Sequence, residues 1–117
     1  MRLNEITFSD AAPVEGYGPG FFRIGGKAVD GPLCLSPRGT QAWGGMQDGE
    51  TLRALAPDID VLFVGTGPDI AHLPAELRTE LEDAGIGVEV MNSPSACRTY
   101  NVLLSEGRRV ALAVLPV

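Results

Sequence analysis

The stretch "SPSACRTYN" over residues 93–101 holds the densest group of side chains that could do chemistry. Ser93 suits a helix N-cap, and Pro94 suits the first helical position, where its missing N–H costs nothing. Arg98 then falls in the first turns, near the positive end of the helix dipole, where a cation is mildly disfavoured. Two readings of Arg98 follow. It belongs to a solvated face or a local salt bridge, or it joins the backbone N–H groups of the helix start in receiving an anion. That anion is a ligand, or a carboxylate of this chain or of a partner. Cys97 also divides two ways. It is a thiol activated by the helix terminus and the neighbouring guanidinium, or a structural cysteine at the edge of the core.

The second feature is "GTGPDI" over 65–70. Glycines at the carboxyl end of a strand line ligand crevices in α/β sheets. Gly65-Thr66-Gly67 supplies two of the three glycines of a dinucleotide fingerprint, and Glu89 lies about 20 residues on, where a ribose contact belongs. The third position is Ile70, and Pro68 interrupts, so a tight turn competes with a nucleotide site. A crevice holding Thr66, Ser93 and the start of the last helix is the candidate site. His72, the one histidine, reads as a surface or packing residue, and Glu80, Glu82 and Asp83 as a solvated helix face. Cys34 and Cys97 stand far apart without metal-ligand spacing, and no metal or cofactor motif is present. Trp43, in "QAWGGMQDG", is either core or an interface anchor, a role tryptophan often takes.

These side chains need elements to hold them. In the second half, "DVLFVGTG" is a continuous apolar run, the mark of a strand covered on both faces. "PAELRTELEDAG" reads as a helix opened by Pro74 and closed by Gly85, with Leu77, Leu81 and Ala84 on one face. "GVEVM" is a strand, residues 94–106 a helix, and "RRVALAVLPV" a final strand. At 100° per residue, Ala96, Tyr100, Leu103 and Leu104 share the core arc of the last helix, with Cys97 at its edge. Arg98, Asn101 and Ser105 point away, with Val102 beside them. The first half reads as short strands. "EITFS" is one, "GYGPG" a loop, "GFFRIGGKAVDG" a hairpin at Gly25-Gly26, and "PLCLSPRGTQAW" a strand pair turning at 36–39. Asp48 caps a short helix carrying Leu52, Leu55 and Ala56. Phe21 and Phe22 face opposite sides of their strand, which leaves one for a second apolar surface such as a homodimer contact.

The 117 residues suit one domain over 1–117, and the net charge of −6 speaks against nucleic acid or an anionic membrane surface as main partner. No apolar run reaches the length of a membrane span. "MRLNEITFSD" has no apolar signal region, so a reduced, cytoplasmic protein is expected.

The run "EVMNSPSACRTYNVLLSEGRRVALAVL" resembles a small family of Mth-like domains of unknown biochemical activity, which includes the mitochondrial NADH dehydrogenase (complex I) assembly factor 3 and the adipogenesis-associated Mth-domain protein. "LFVGTG" and "GYGPGFFRIGG" are similar to its pattern, so the resemblance covers nearly the whole chain. Its most specific part is Ala96-Cys97-Arg98-Thr99-Tyr100-Asn101. The resemblance implies a three-layer α/β/α fold with a mixed central sheet and an added N-terminal β-hairpin, and no established catalytic residues. The expected function is a non-enzymatic interaction module, an assembly factor for a respiratory or other membrane complex. The alternative is an anion- or nucleotide-binding protein or enzyme using 65–67 and Arg98. Gly65, Thr66, Gly67, Ser93, Cys97, Arg98, Tyr100 and Asn101 are the ligand- or partner-binding candidates, and Trp43 and Val102 the interface candidates.

Overall fold

The computed structural model describes residues 11–117; the strand expected at 5–9 lies outside them. Eight strands and three α-helices follow in order: β1 Gly16–Gly18, β2 Phe21–Ile24, β3 Lys27–Asp30, β4 Leu33–Ser36, β5 Gly39–Ala42, α1 Gly49–Arg53, β6 Val61–Thr66, α2 Ala75–Asp83, β7 Gly87–Met91, α3 Ser93–Ser105 and β8 Val110–Leu115. The main sheet runs β5-β4-β8-β6-β7. It is mixed, because β6 is parallel to both β7 and β8 while β4 is antiparallel to β8 and β5.

Strand alternation sorts the side chains of this sheet onto two faces. Leu62, Val64, Ala111, Ala113 and Cys34 face α1 and α2, where Leu52, Leu77 and Leu81 complete one core. Phe63, Val110, Leu112, Leu33 and Leu35 face the other way, against Ala96, Cys97 and Tyr100 of α3 and against Phe22 and Ile24 of β2. Three layers result. One outer layer is α1 with α2, and the other is α3 together with the small sheet β1-β2-β3.

The caps explain where the helices stop and start. Asp48 accepts from the Thr51 N–H at 3.1 Å and so begins α1. After α2, Gly85 adopts φ +91°, its N–H bonds Glu82 O at 2.9 Å, and the Ile86 N–H bonds Leu81 O at 3.1 Å. This is a Schellman closure, and its Ile86 and Leu81 side chains meet in the core.

Two details differ from the sequence reading. The segment 16–20 is no plain loop, because residues 16–18 form β1, paired Gly16↔Arg23 and Gly18↔Phe21. Glycine is a poor strand former, but here it leaves room for the Phe21 ring, whose edge would lie 2.5 Å from a Cβ at Gly18. Pro19 and Gly20, the latter at φ +83°, make the turn into β2. The added hairpin is therefore a three-stranded antiparallel sheet, its second turn formed by Gly25 and Gly26, both at positive φ. The other difference is the start of α3. Its cap is Asn92, which accepts from the Ser95 N–H at 2.8 Å, so Ser93 is the first helical residue.

Candidate functional site

The helix after β6 packs on one face of the main sheet and the helix after β7 on the other. The gap between the carboxyl ends of two such strands is where open α/β sheets take ligands. Here the chain fills it. The Ser93 N–H donates to Gly67 O at 2.7 Å, and the Gly67 N–H donates back to Ser93 Oγ at 2.8 Å. The same hydroxyl donates to Leu115 O at 2.6 Å, so its proton and a lone pair are both engaged. Ser93 is 1% exposed. A Cβ at Gly65 would come within 2.8 Å of Ser93 Cα, which fixes glycine there by close approach. Thr66 holds the following loop: its Oγ1 accepts from the Ala71 N–H at 3.0 Å and lies 2.7 Å from Asp69 O. Gly65, Thr66, Gly67 and Ser93 do come together as the sequence suggests, and their polar groups are spent on one another and on the chain.

The residues of the α3 motif divide differently. Tyr100 is fully buried, and its hydroxyl donates to Ala12 O at 2.8 Å. Burial pushes the phenol well above its ordinary value, with the Cys34 thiol adding to the same direction. Asn101 does not simply face solvent with Arg98. It is half-buried, and its Oδ1 accepts from the Val14 N–H at 2.9 Å while its Nδ2 donates to Val14 O at 2.8 Å. One side-chain amide thus pairs with one residue's backbone as a neighbouring strand would. Cys97 is 4% exposed, and desolvation pushes its thiol up to about 11. Of the two readings of Cys97, this burial favours the structural one, because a thiolate would be formed inside the core.

Arg98 is exposed and does not reach residues 65–67. It lines a groove of about 190 Å³ between α3 and the start of the small sheet, with Val14, Gly16, Tyr17 and Pro94. Among the described residues, Arg98 has no carboxylate within ion-pair distance, whereas Arg38, Arg53, Arg78 and Arg109 are each paired. The anionic counterpart expected for Arg98 is therefore not supplied by the described part of the chain.

Of the remaining residues, Trp43 sits in the core at 3% exposure, its Nε1–H donating to Asp48 O at 3.1 Å, and offers no surface for an interface anchor. Val102 is half exposed on the outer side of α3. His72 is exposed, Glu82 pairs with Arg78 and Glu80 with Arg53. Cys34 and Cys97 lie on opposite faces of the sheet as free thiols. Among the described residues no group of histidine, cysteine, aspartate or glutamate is placed to hold a metal, and no helix is long and apolar enough to cross a membrane. Val14, Gly16 and Tyr17 are the groove residues that sequence reasoning missed. The available signal was the polar capacity of Tyr100 and Asn101, which required partners somewhere.

Comparison with known proteins bears on this arrangement. The family described as "Protein of unknown function (DUF498/DUF598)" matches residues 14–115. An uncharacterized protein of Rhodobacter capsulatus is 50% identical over 117 residues, covering all of this chain and 94% of its own. NADH dehydrogenase [ubiquinone] 1 alpha subcomplex assembly factor 3 of Danio rerio is 37% identical, over 99% of this chain and 71% of its own length. The Homo sapiens form is 33% identical, over 99% and 67%. Among solved structures, an outer membrane protein from Bartonella henselae superposes with a TM-score of 0.86 at 32% identity, over 95% and 99% of the two chains. A Mth938-like domain from Bordetella pertussis gives 0.76 at 27% identity, over 99% and 92%.

Proposed function

This chain belongs to the DUF498/DUF598 family, and from that premise we propose that it is a non-enzymatic protein-binding module acting in the assembly of a respiratory membrane complex. The observation that carries the proposal is the likeness to NADH dehydrogenase assembly factor 3 across 99% of the chain. The likeness spans both sheets and all three helices rather than one motif. The polar groups of the 65–67 and Ser93 cluster are engaged in holding strands and loops, which fits a scaffold whose outer surface does the work. We propose the cytoplasm as its compartment and a subunit or fellow assembly protein as its partner.

Deletion of the gene in its native host, followed by native electrophoresis of detergent-extracted membranes with NADH dehydrogenase activity staining, tests this. Loss of the mature complex with accumulation of smaller subassemblies, reversed by the plasmid-borne chain, is the expected result. An unchanged amount of mature, active complex would overturn the assembly role.

A further inference from the structure

We propose that Arg98, Tyr17 and Val102, around the groove between α3 and β1, form the docking site for an acidic segment of the partner protein. An aspartate or glutamate of that segment pairs with Arg98, and an apolar side chain beside it enters the groove. The proposal rests on the protein-binding reading above and names the chemistry of the partner.

The charge of the segment follows from what Arg98 lacks. Among the described residues its guanidinium has no ion pair and no hydrogen-bond acceptor. One carboxylate does line the groove, but Glu15 turns its Oε1 to the Gly26 N–H at 2.9 Å. The helix beneath Arg98 is nevertheless held firmly. Cys97 lies in the core, Tyr100 is bonded to Ala12, and Asn101 is bonded to Val14. A planar fork of donors on a fixed helix suits a carboxylate, which it can bind through two parallel hydrogen bonds.

A free anion is the poorer occupant. Anion sites at a helix start use its backbone N–H groups, and those of α3 are spent. The Ser93 N–H donates to Gly67 O at 2.7 Å, and Pro94 has none to give. The Ser95 N–H donates to Asn92 Oδ1 at 2.8 Å, and the Ala96 N–H to Asn92 O at 3.0 Å. Arg98 would be left to hold the anion alone. At about 190 Å³ the groove is also smaller than the about 300–1,000 Å³ of small-molecule sites.

What surrounds the guanidinium is apolar surface instead. Among the described residues three large apolar side chains are exposed: Tyr17 at 47%, Ile70 at 66% and Val102 at 50%. Two of the three flank Arg98. Tyr17 lines the groove with it, and Val102 stands one turn further along α3. Tyrosine and arginine are the residue types that dominate protein interfaces. An unpaired arginine between two exposed apolar side chains therefore fits a carboxylate that arrives with an apolar neighbour.

The test uses isotope-labelled full chain and three probes: a capped peptide with leucine between aspartates, its counterpart with lysines, and sodium phosphate. The aspartate peptide is expected to shift the Arg98 side-chain, Tyr17 ring and Val102 methyl resonances, and the other two probes to leave them in place. Arg98→Ala should weaken the binding about tenfold, the size of one charge-assisted hydrogen bond. Arg98→Glu should lose the aspartate peptide and gain the lysine one. Val102→Ser should weaken the binding about threefold, whereas Ile70→Ser, at the exposed side chain away from the groove, should not change it. Equal shifts with the lysine peptide or with phosphate, shifts confined to another surface, or no binding to the wild type would overturn the proposal. The deletion strain separates it from the assembly role. If the wild-type chain restores the mature complex and Arg98→Glu does so equally well, the docking site is wrong and the assembly role stands. If deletion leaves the complex intact while the aspartate peptide still binds as described, the assembly role fails and the site stands.

Discussion

Removing the Asn101 amide should detach the N-terminal segment from α3 at a measurable cost. Asn101→Ala deletes two hydrogen bonds to a residue 87 positions away, at 2.9 and 2.8 Å. Each such bond contributes about 0.5–1.5 kcal/mol net, and a buried group left without a partner costs about 1–3 kcal/mol. Val14 is only 6% exposed, so its N–H and C=O lose their partners where water is scarce. Asn101 itself is half-buried, and water entering the vacated space recovers part of the loss. A total of about 2–4 kcal/mol results, a large share of the about 5–15 kcal/mol that stabilises a domain. Urea unfolding followed by far-UV circular dichroism should show the midpoint lowered by about 1–2 M. Should the small sheet open before the main one, the loss will appear first as faster exchange of the Val14 amide. Ser105→Ala is the control, since that exposed hydroxyl bonds only Val102 O of its own helix, and it should change stability by less than about 0.5 kcal/mol. An Asn101→Ala midpoint within error of wild type, with Val14 exchange unaltered, would refute the bridge.

Other consequences are equally direct. Gly65→Ala places a Cβ 2.8 Å from both Ser93 Cα and Val114 Cγ2, and should cost about 1–3 kcal/mol and lower Tm by about 5–15 °C in calorimetry. The Asp48 carboxyl is held below its ordinary range by the Thr51 hydroxyl first, then by the Gly44 and Thr51 N–H groups. Its folded-state value is depressed, so its contribution is complete above about pH 4 and fades as pH falls through the lower folded value. Urea titrations should accordingly find Asp48→Ala about 1 kcal/mol less stable than wild type near pH 7, with the gap closing in acid. Burial pushes the Cys34 thiol up to about 12 and the Cys97 thiol up to about 11, so neither should label with a disulfide reagent at pH 8 in the native protein and both should label at once in guanidinium. Arg98→Ala, lacking an ion pair to lose, should leave the unfolding free energy in urea within about 0.5 kcal/mol of wild type.

The parts of the fold that were legible in the sequence carry strong local signals. "DVLFVGTG", "GVEVM" and "RRVALAVLPV" became β6, β7 and β8, since a strand buried on both faces must be apolar at every position. The turn at Gly25-Gly26 was legible because its two residues require positive φ. The start of α3 was shifted by one residue for a physical reason. Asn92 and Ser93 are both good caps, and proline fits either of the first helical positions. What decides between them is tertiary: the Ser93 hydroxyl is needed as a clasp joining Gly67 to Leu115, which leaves the cap to Asn92. β1 was missed because two of its three residues are glycine, a poor strand former, and it runs straight into the Pro19-Gly20 turn.

The motif that identifies this chain most specifically is, on this geometry, mainly a fastening. Ala96 and Cys97 pack under the helix, Tyr100 and Asn101 hold residues 12 and 14, and Thr99 Oγ1 lies 3.6 Å from Met91 Sδ. Each of these residues meets another element of the chain, so their types are constrained by packing and hydrogen-bond satisfaction whether or not anything binds nearby. A recurrent polar cluster at a helix start is easily taken for an active site, and here its polar atoms have structural employment. Arg98 is different, because nothing in the described fold uses its charge. A residue that stability does not require, set in a groove in a chain of net charge −6, is where function and fold come apart. A variant that leaves the urea midpoint alone and still impairs assembly would therefore locate the working surface, whereas Asn101→Ala would impair assembly only by loosening the sheet that presents it.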